Sequence, residues 1–544
     1  MCLKNIFIAV ISALTIAGCK KNNGNNTTPP PAVNSKFLQV KNRDIVNEAG
    51  NTVQLKGVAF GNEIWSNELP YTHHNETDFE RVQSMHMNCI RFYMNYKTFE
   101  DDNTPYNYKQ SGWDWLDKNI AWAKKYGIYL ILNMHAPQGG YQSQGNGDAL
   151  WTVPENQNRL TALWAAIAKK YKDEPVIIGY GLVNEPVPSN AIAQWNQLAQ
   201  RITDAIRTND KNHLIFLEKA IYVKTNVVED ENLFFPVSTD KNTVYEFHMY
   251  DPWQYTHQLF NWGYNADGGK YPDESIISYT NSSWHTATFN NPLLPAGNTD
   301  WRYFEGEKYT VKDANIKLAV PALVGKSCNG TVYFDDIIIK EYNPAGVFTG
   351  NILSINLNSA DNWGYWSQNN SGQSGLSNQQ GQSDNSSLYI SAATGDCNLS
   401  NYSKIFIPKQ GYAYQVSGWM KGENISAAAG CMLRIDFLST PDAIYGRNKS
   451  FLQSTVQKFI NWSVRKNVPL YMGEFGAGVH CFNNDKGGLQ WVSDMIDICK
   501  QNNLHFTYHA YHEDSFGLYY GYGSLPDATK ANTALINLLT QKLK

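Results

Sequence analysis

Charged residues are scarce in this chain, and neither sign is in clear excess. Lys and Arg together number 45, Asp and Glu number 49, and charged residues make up only 17% of the 544 positions. Proteins that bind nucleic acid normally carry a basic surplus, so the sequence predicts no nucleic-acid partner. Apolar residues reach 42%. That content excludes a disordered chain, and the length predicts more than one folded domain.

The chain also lacks a hydrophobic run of the roughly 20 residues that a membrane span requires. The apolar stretch at residues 6–16 of "MCLKNIFIAVISALTIAGCKK" is too short and follows a lysine, as in a signal peptide. Its ending, "IAGC", resembles a bacterial lipobox, which implies cleavage before Cys19 and lipidation of that thiol. Ordinary secretion is the alternative. We therefore expect a signal peptide over residues 1–18, a polar tether over residues 19–35, and an exported cell-envelope lipoprotein at the outer membrane or cell surface.

Cysteine is sparse, and none of the eight cysteines has the spacing of a zinc site. We therefore expect no metal. Six cysteines follow Cys19, and an exported compartment permits disulfide bonds. Two possibilities stay open from sequence alone: pairing within the group Cys328, Cys397 and Cys431, and pairing of Cys481 with Cys499.

What the sequence does contain is a regular alternation of short apolar strands and helical segments. Near-continuous apolar strands that alternate with helices predict a parallel sheet covered by helices. Eight such units predict a (β/α)8 TIM barrel, divided here between residues 36–275 and 439–544. The predicted strands are 54–61, 88–94, 128–135, 176–185, 213–219, 243–250, 468–476 and 505–513.

The segment between the two barrel pieces, residues 276–438, has a different pattern. Short alternating strands such as "TVYFDDIIIKEY" and "CMLRIDFL" are separated by turns rich in Asn, Ser and Gly. Alternation with a period of two residues and frequent turns predict an all-β sandwich. The sequence therefore predicts an α/β barrel with a β-sandwich domain inserted after its sixth strand.

Polar side chains cluster at the ends of the predicted barrel strands. They are Arg91, His135, Asn184, Glu185, Glu218, His248, Tyr250, Glu474, Tyr508 and His509. Active sites of TIM barrels lie at the C-terminal strand ends, so we expect these side chains to share one cleft. Glu185 and Glu474 suit the cleavage of a glycosidic bond, which takes one carboxyl group as proton donor and another as nucleophile or base. Structural alternatives are an ion-pair role for Arg91 and simple burial for His135 and His248.

Several motifs in the two barrel pieces resemble glycoside hydrolase family 5. They are "LVNEP" and "LYMGEFG", with "KGVAFG", "CIRFYM", "LILNMH" and "EFHMYDPWQYTHQ" in the expected order. The resemblance implies a retaining glycosidase in which Glu185 is the general acid/base and Glu474 is the nucleophile. It also implies that other side chains orient these carboxylates or line subsite −1, namely Arg91, Asn184, His248, Tyr250 and His135.

One position departs from the family pattern, which places a Trp at the end of the eighth strand as a platform for the sugar. The stretch here reads "FTYHAYHED", and His509 takes that position. Tyr508, Tyr511 and the loop residue Trp253 are the candidates to stack on the sugar instead.

The predicted insertion resembles a jelly-roll carbohydrate-binding module in "VSGWMKGENIS" and "GTVYFDDIIIKEY". The two motifs occur in reversed order, which implies a circularly permuted jelly roll. Trp363, Tyr365 and Trp366 in "NWGYW", together with Trp301, are candidates for stacking on a glycan. Burial in an aromatic core is the alternative for each of them.

Together these features predict a lipid-anchored, retaining endo-β-1,4-glucanase that needs no cofactor and whose partner is a β-linked polysaccharide. Family 5 barrels serve several glycans, so mannan, xyloglucan and xylan stay open as substrates. A non-catalytic cell-surface glycan-binding protein is the alternative from another class. The sequence implies no protein partner.

Overall fold

The computed structural model describes residues 36–61, 64, 73–224, 232–441, 443–483 and 485–544. The predicted signal peptide, the tether and Cys19 lie outside these ranges. Within them, no helix combines the length and the apolar character needed to cross a bilayer. The described chain begins with a hairpin of β1 (Gln39–Lys41) and β2 (Asp44–Val46), which adds Leu38 and Ile45 to the core inside the barrel.

Eight parallel strands of the described chain close into a barrel, as predicted. They are β3 (Lys56–Phe60), β4 (Cys89–Asn95), β5 (Tyr129–Ala136), β6 (Ile177–Gly181), β7 (Leu214–Glu218), β8 (Thr243–Met249), β23 (Leu470–Phe475) and β24 (His505–Tyr508). β8 pairs with β23, and β24 pairs with β3, so the two distant pieces of sequence complete one sheet. The fourth strand is shorter than predicted, because β6 ends at Gly181 and the chain turns before Glu185.

The described helices either pack around the barrel or lie in its loops. They are α1 (Glu76–Ser84), α2 (Gln110–Tyr126), α3 (Asp148–Thr152), α4 (Pro154–Tyr171), α5 (Ile192–Arg207), α6 (Trp253–Thr256), α7 (Lys449–Lys466), α8 (Gly488–Gln501) and α9 (Thr533–Leu543). The long ones are amphipathic and bury one apolar face. Local signals set their ends: Asn448 caps α7 by accepting the Phe451 N–H, and Gly127 ends α2 at a φ of 65°.

Side chains of each barrel strand alternate between the interior and the helix layer. In β4, Ile90, Phe92 and Met94 belong to the core between barrel and helices, whereas Cys89 belongs to the core inside the barrel. Arg91 and Tyr93 share the parity of Cys89 and therefore point inward, nearer the C-terminal end. The interior is thus apolar at its base and polar at the mouth.

Between β8 and β23 the chain forms an all-β domain of two antiparallel sheets, again as predicted. Its strands are β10 (Ser283–Ala287), β11 (Gly297–Glu305), β12 (Tyr309–Thr310), β13 (Leu318–Lys326), β14 (Thr331–Tyr342), β15 (Phe348–Ile355), β16 (Trp363–Ser367), β17 (Gln373–Ser377), β18 (Ser387–Ser391), β19 (Cys397–Asn401), β20 (Ala413–Ile425) and β21 (Gly430–Ser439). In the described chain, one sheet runs β10-β21-β13-β19-β16. The other runs β11-β20-β14-β18-β17, with β12 on β20 and β15 on β14. A separate apolar core lies within this domain.

The two ends of the all-β domain are held together where they leave the barrel. β9 (Asp273–Ser278) pairs antiparallel with β22 (Tyr445–Arg447). The buried Arg447 guanidinium also donates to the Gly268 carbonyl oxygen. The domain therefore enters and leaves the barrel through one two-stranded neck.

The tryptophans predicted to form a glycan platform on the inserted domain do not lie together on one face. In β16, Trp363 and Tyr365 pack against the domain core, whereas Trp366 is 55% exposed. Successive strand residues point to opposite faces, so Trp363 and Trp366 do not form a joint platform. Trp301 is half-buried on β11. Trp366 is therefore the candidate of this group with the most accessible ring.

The described cysteines are all free, buried thiols, and the fold restricts how they could pair. The Cys481 carbonyl oxygen lies beside Gly488 at the start of α8, and Cys499 lies about 16 Å further along that helix. The predicted option of pairing Cys481 with Cys499 is therefore wrong. Cys397 and Cys431 flank β13 on opposite sides, two strand spacings or about 9.6 Å apart, which is also too far for a disulfide.

Cys328 follows β13, and its thiol is hydrogen-bonded to the Cys431 thiol, which lowers the pKa of Cys328 to about 7. We expect oxidation to join these two cysteines, because a thiolate is the reactive form. In refolding with oxidised glutathione, the two thiols lose two protons and two electrons, and the glutathione disulfide becomes two thiols. Peptide mapping should then find a Cys328–Cys431 bond. Cys397→Ser should leave that bond intact, and a bond that includes Cys397 would contradict the prediction.

Candidate active site

A cleft of about 750 Å³ opens at the C-terminal ends of the barrel strands. Its floor is polar and its rim is aromatic, with Trp253, Trp262 and Tyr522 exposed by 43%, 51% and 38%. This is the end of the barrel where TIM-barrel active sites are built. The floor includes predicted site residues from different strands and the loops that follow them, namely His135, Glu185, Glu218, His248, Tyr250, Glu474 and His509.

The Arg91 guanidinium lies beneath the floor and is fully buried. Its Nη1 donates to Glu474 Oε1 at 2.6 Å, and its Nη2 donates to Asn184 Oδ1 at 2.8 Å. Its Nε lies 2.8 Å from Glu246 Oε1, and Nη2 lies 3.4 Å from Glu218 Oε2. A buried cation must be compensated by charge and hydrogen bonds. Arg91 is therefore an ion-pair partner, as its structural alternative predicted, and it also holds Glu474 in position.

Glu474, near the end of β23, receives the largest share of the donors in the cleft. Tyr93 Oη donates to Oε1 at 2.6 Å and Tyr250 Oη donates to Oε2 at 2.7 Å, in addition to the Arg91 bond. Burial alone would raise the pKa of Glu474, but the positive charges of His248, His509 and Arg91 outweigh it. They hold the pKa well below its ordinary value. Glu474 is thus fixed as an ionised carboxylate, the form that a nucleophile requires.

Glu185 lies in the turn after β6, and its backbone has a φ of +43°. This left-handed conformation is uncommon for a residue with a side chain, and such strain concentrates at functional sites. Glu185 Oε1 lies 2.9 Å from His248 Nδ1. The same nitrogen lies 3.6 Å from Glu474 Oε2, so the two carboxylate oxygens are separated by no more than the sum of these distances.

Asn184 and His135 support this pair from the sides. Asn184 is fully buried, and its Nδ2 donates to Ser143 Oγ at 3.2 Å while its Oδ1 accepts from Arg91. His135 stacks on the Tyr93 ring at a centroid distance of 3.8 Å. The apolar β6 segment therefore leads into an amide and a carboxylate because the following turn forms part of the cleft floor.

The model of the cellulase family, glycosyl hydrolase family 5, matches residues 46–313 of this chain. The match covers 268 residues, just under half of the chain. Endoglucanase C of Acetivibrio thermocellus is 29% identical over 214 residues, which cover 39% of this chain and 61% of that protein. The Beta-xylosidase of Phanerodontia chrysosporium is 28% identical over 221 residues, which cover 34% of this chain and 46% of the relative. The chain thus spans less than two thirds of the length of these relatives.

Among solved structures, an endoglucanase Cel5A from the hyperthermophilic Thermotoga maritima is similar at a TM-score of 0.47 and 15% sequence identity. The alignment covers 89% of this chain and 96% of the Thermotoga chain.

Glu185, Glu218 and His248 are the side chains of the described chain whose ligand atoms cluster closely enough for a metal ion, within 4.8 Å of one another. The group fits a cation poorly because Arg91 Nη2 lies 3.3 Å from His248 Nε2 and 3.4 Å from Glu218 Oε2. The Glu218 and Glu474 carboxylates outweigh the burial of His248 and raise its pKa well above the ordinary value. A protonated imidazole does not ligate a metal.

The predicted residue Tyr508 does not reach the cleft of this barrel. It is fully buried in the core between barrel and helices, and its hydroxyl donates to the Ala477 carbonyl oxygen at 3.4 Å. Tyr511 is buried as well and donates to Asp78. Side chains alternate along β24, so Tyr508 points away from the cleft while its neighbour His509 points inward. Trp253 is at the rim and is the predicted stacking candidate that remains accessible.

The residues of the site that the sequence analysis missed include Tyr93, Glu246 and Glu513. Tyr93 lies two positions after the predicted residue Arg91 on β4, and Glu246 lies two positions before the predicted residue His248 on β8. The period of two would have found them, because such residues share a face. Glu513 follows β24 in a loop, where no periodic signal applies.

Replacing Tyr250 with Phe removes one charged hydrogen bond from Glu474 and should lower kcat/KM about 10- to 150-fold, since such a bond contributes about 1.5–3 kcal/mol. Tyr508→Phe is the matched control, because Tyr508 is a fully buried tyrosine that lies outside the cleft. It should retain wild-type kinetics. Equal losses in the two variants would show that Tyr250 acts through stability and not through Glu474.

Proposed function

We propose that this chain is a retaining endo-β-1,4-glucanase that cleaves a plant-type polysaccharide by double displacement. The observation that carries the proposal is the arrangement of two carboxyl groups, Glu185 and Glu474, around the single nitrogen of His248. The two carboxylate oxygens can be no farther apart than the sum of their distances to that nitrogen. This upper limit reaches only the lower end of the range of about 6.5–9.5 Å that inverting enzymes need. The separation of about 5–5.5 Å found in retaining enzymes lies below this limit.

In the first step, ionised Glu474 attacks the anomeric carbon and Glu185 gives its proton to the departing glycosidic oxygen. A covalent glycosyl-enzyme forms on Glu474, and the leaving chain departs with its new hydroxyl. In the second step, Glu185 takes a proton from water, and that water displaces Glu474 with restored configuration. Asn184 is fixed by Arg91 beside the pair, where its amide can bond the sugar 2-hydroxyl.

The aromatic rim supports a carbohydrate substrate. Trp253 packs one face of its ring against His257 at a centroid distance of 5.0 Å and remains 43% exposed. A supported, partly exposed indole is a suitable platform for a pyranose ring. Trp262 and Tyr522 extend the exposed aromatic surface along the cleft.

The substrate could equally be mannan, xyloglucan or xylan, because the same two carboxylates serve any β-linked pyranoside. The similarity to a protein named as a Beta-xylosidase keeps xylan among the candidates. Release of reducing sugar should be measured on β-1,4-glucan, mixed-linkage glucan, xyloglucan, mannan and xylan. Activity on β-1,4-glucan alone would support the glucanase, activity on another polymer would replace it, and binding without hydrolysis would favour the glycan-binding alternative.

We also propose that the protein is exported and lipidated at Cys19, which rests on the "IAGC" motif. Labelling with a radioactive fatty acid in wild type and Cys19→Ala tests the anchor.

We propose that the inserted all-β domain is a jelly-roll module that binds glycan, with Trp366 as its exposed ring. Pull-down on insoluble glucan by wild type and Trp366→Ala, with Trp363→Phe as a control, tests the module.

A further inference from the structure

His509 occupies the wall of the cleft next to Glu474, and its two ring nitrogens face different partners. Nδ1 lies 3.0 Å from Tyr93 Oη, and Nε2 lies 3.5 Å from Glu513 Oε1. Glu513 is buried, and the same oxygen accepts the Phe516 N–H at 3.0 Å. These contacts link Glu513, His509, Tyr93 and Glu474 in one continuous row.

The hydrogen positions in this row follow from its chemistry. Burial and the Glu474 charge hold the pKa of Tyr93 well above its ordinary value, so its hydroxyl stays protonated. Its single proton is used in the 2.6 Å bond to Glu474 Oε1. The Tyr93 oxygen can then only accept from His509, so Nδ1 carries a proton. Nε2 faces a carboxylate, which also only accepts when ionised, so this nitrogen carries a proton too.

We propose that His509, held as an imidazolium by Glu513, is a positioning residue that fixes the Tyr93 hydroxyl on the nucleophile Glu474 and keeps that carboxylate ionised. Its role is exerted through Tyr93 and through its charge. It replaces the aromatic platform expected at this strand end with a cation. This role rests on the proposed function, because it assigns Glu474 as the nucleophile.

The charges around His509 agree with this protonation state. Burial alone would lower the pKa of His509, but Glu474 and Glu513 outweigh it and raise that pKa. The opposing positive charge comes from Arg91 beneath the floor. The titratable groups that face His509 from the surrounding elements are Glu474 of β23, Arg91 and Tyr93 of β4, His135 of β5, Tyr250 and His257 beyond β8, and Glu513.

The proposal determines how activity depends on pH. Because the pKa of His509 is raised, the charged form persists above the ordinary value and is lost as pH rises through the folded-state pKa. Activity should therefore decline on that alkaline limb. Glu513→Gln removes one of the two carboxylates that raise the pKa, so the alkaline limb of kcat/KM should move down by about one pH unit. Glu155→Gln, at an exposed position on α4, is the matched control and should leave the profile unchanged.

His509→Asn should lower kcat about 10- to 100-fold with KM nearly unchanged, and the alkaline limb due to His509 should disappear. A role in packing alone would lower activity equally at every pH and leave the limb in place. That result, or an unchanged profile in Glu513→Gln, would overturn the proposal.

A second measurement needs no catalysis and therefore separates this inference from the proposed function. In wild-type protein with isotope-labelled histidine, NMR titration should place the His509 pKa above the ordinary value of about 6.5, and Glu513→Gln should lower it. Absence of hydrolysis in the wild type would refute the proposed function. A His509 pKa at or below about 6.5 would refute the imidazolium, whatever the activity.

Discussion

Replacing Glu474 with Ala should reduce hydrolysis of the substrate polymer by at least about 10⁴-fold, because the nucleophile and its covalent intermediate are both lost. The variant leaves a space lined by the donors Tyr93, Tyr250 and Arg91. A small anion such as azide fits that chemistry. With an activated aryl β-glycoside, azide should restore turnover and give an α-glycosyl azide, since a single displacement inverts the configuration.

The anomeric configuration of the azide product can be read by NMR. Glu155→Ala, an exposed glutamate outside the cleft, should keep full activity and form no azide adduct. We expect Glu474→Ala to fold, because Arg91 keeps its ion pairs with Glu246 and Glu218 in this variant. Unfolding curves check that the protein is intact. A folded Glu474→Ala that still hydrolyses the polymer would remove Glu474 from the mechanism.

Replacing Glu185 with Ala should have the second largest effect, and the effect should depend on the leaving group. Polymer hydrolysis should fall about 10²- to 10⁴-fold, the usual contribution of a general acid/base. An aryl glycoside with an acidic phenol needs no proton to depart, so the glycosyl-enzyme should still form at nearly the wild-type rate. Its hydrolysis should be slow, and the covalent adduct on Glu474 should accumulate and be visible by intact mass spectrometry.

Azide should also rescue Glu185→Ala, but with the opposite stereochemistry. It attacks the covalent intermediate, so two inversions give a β-glycosyl azide. Opposite anomers from the two variants would assign the two roles in one experiment. The same anomer from both, or no dependence on the leaving group in Glu185→Ala, would contradict the assignment of Glu185 as acid/base.

The sequence predicted the barrel and many side chains of the candidate site because both leave signals that are local in the chain. An apolar strand ending in a polar residue marks the mouth of a barrel, and this placed Arg91, His248 and Glu474 at the cleft. The prediction that Tyr508 lies at the cleft was wrong, because it considered only its position at the end of a strand and not the face to which its side chain points. His509, the next residue, has the inward parity.

Other parts of the site depend on tertiary contacts that no local pattern encodes. Glu185 lies four residues beyond the end of β6, in a turn whose left-handed backbone cannot be read from Asn-Glu-Pro. The pairing of Glu513 with His509 needs a loop to fold back over β24. The stacking candidates Trp363 and Trp366 do not form a joint platform for a simpler reason, since they lie three positions apart on one strand and point to opposite faces.

The neck formed by β9 and β22 affects how the two pieces of the barrel come together during folding. The strands β3 to β8 precede the inserted domain in the chain, but their sheet cannot close until β23 and β24 join it. Until then β3 and β8 are open sheet edges, while the all-β domain can complete its own separate core. Pairing of β9 with β22 brings the start of the second barrel piece next to the end of the first, so formation of the neck favours closure of the barrel and assembly of the cleft.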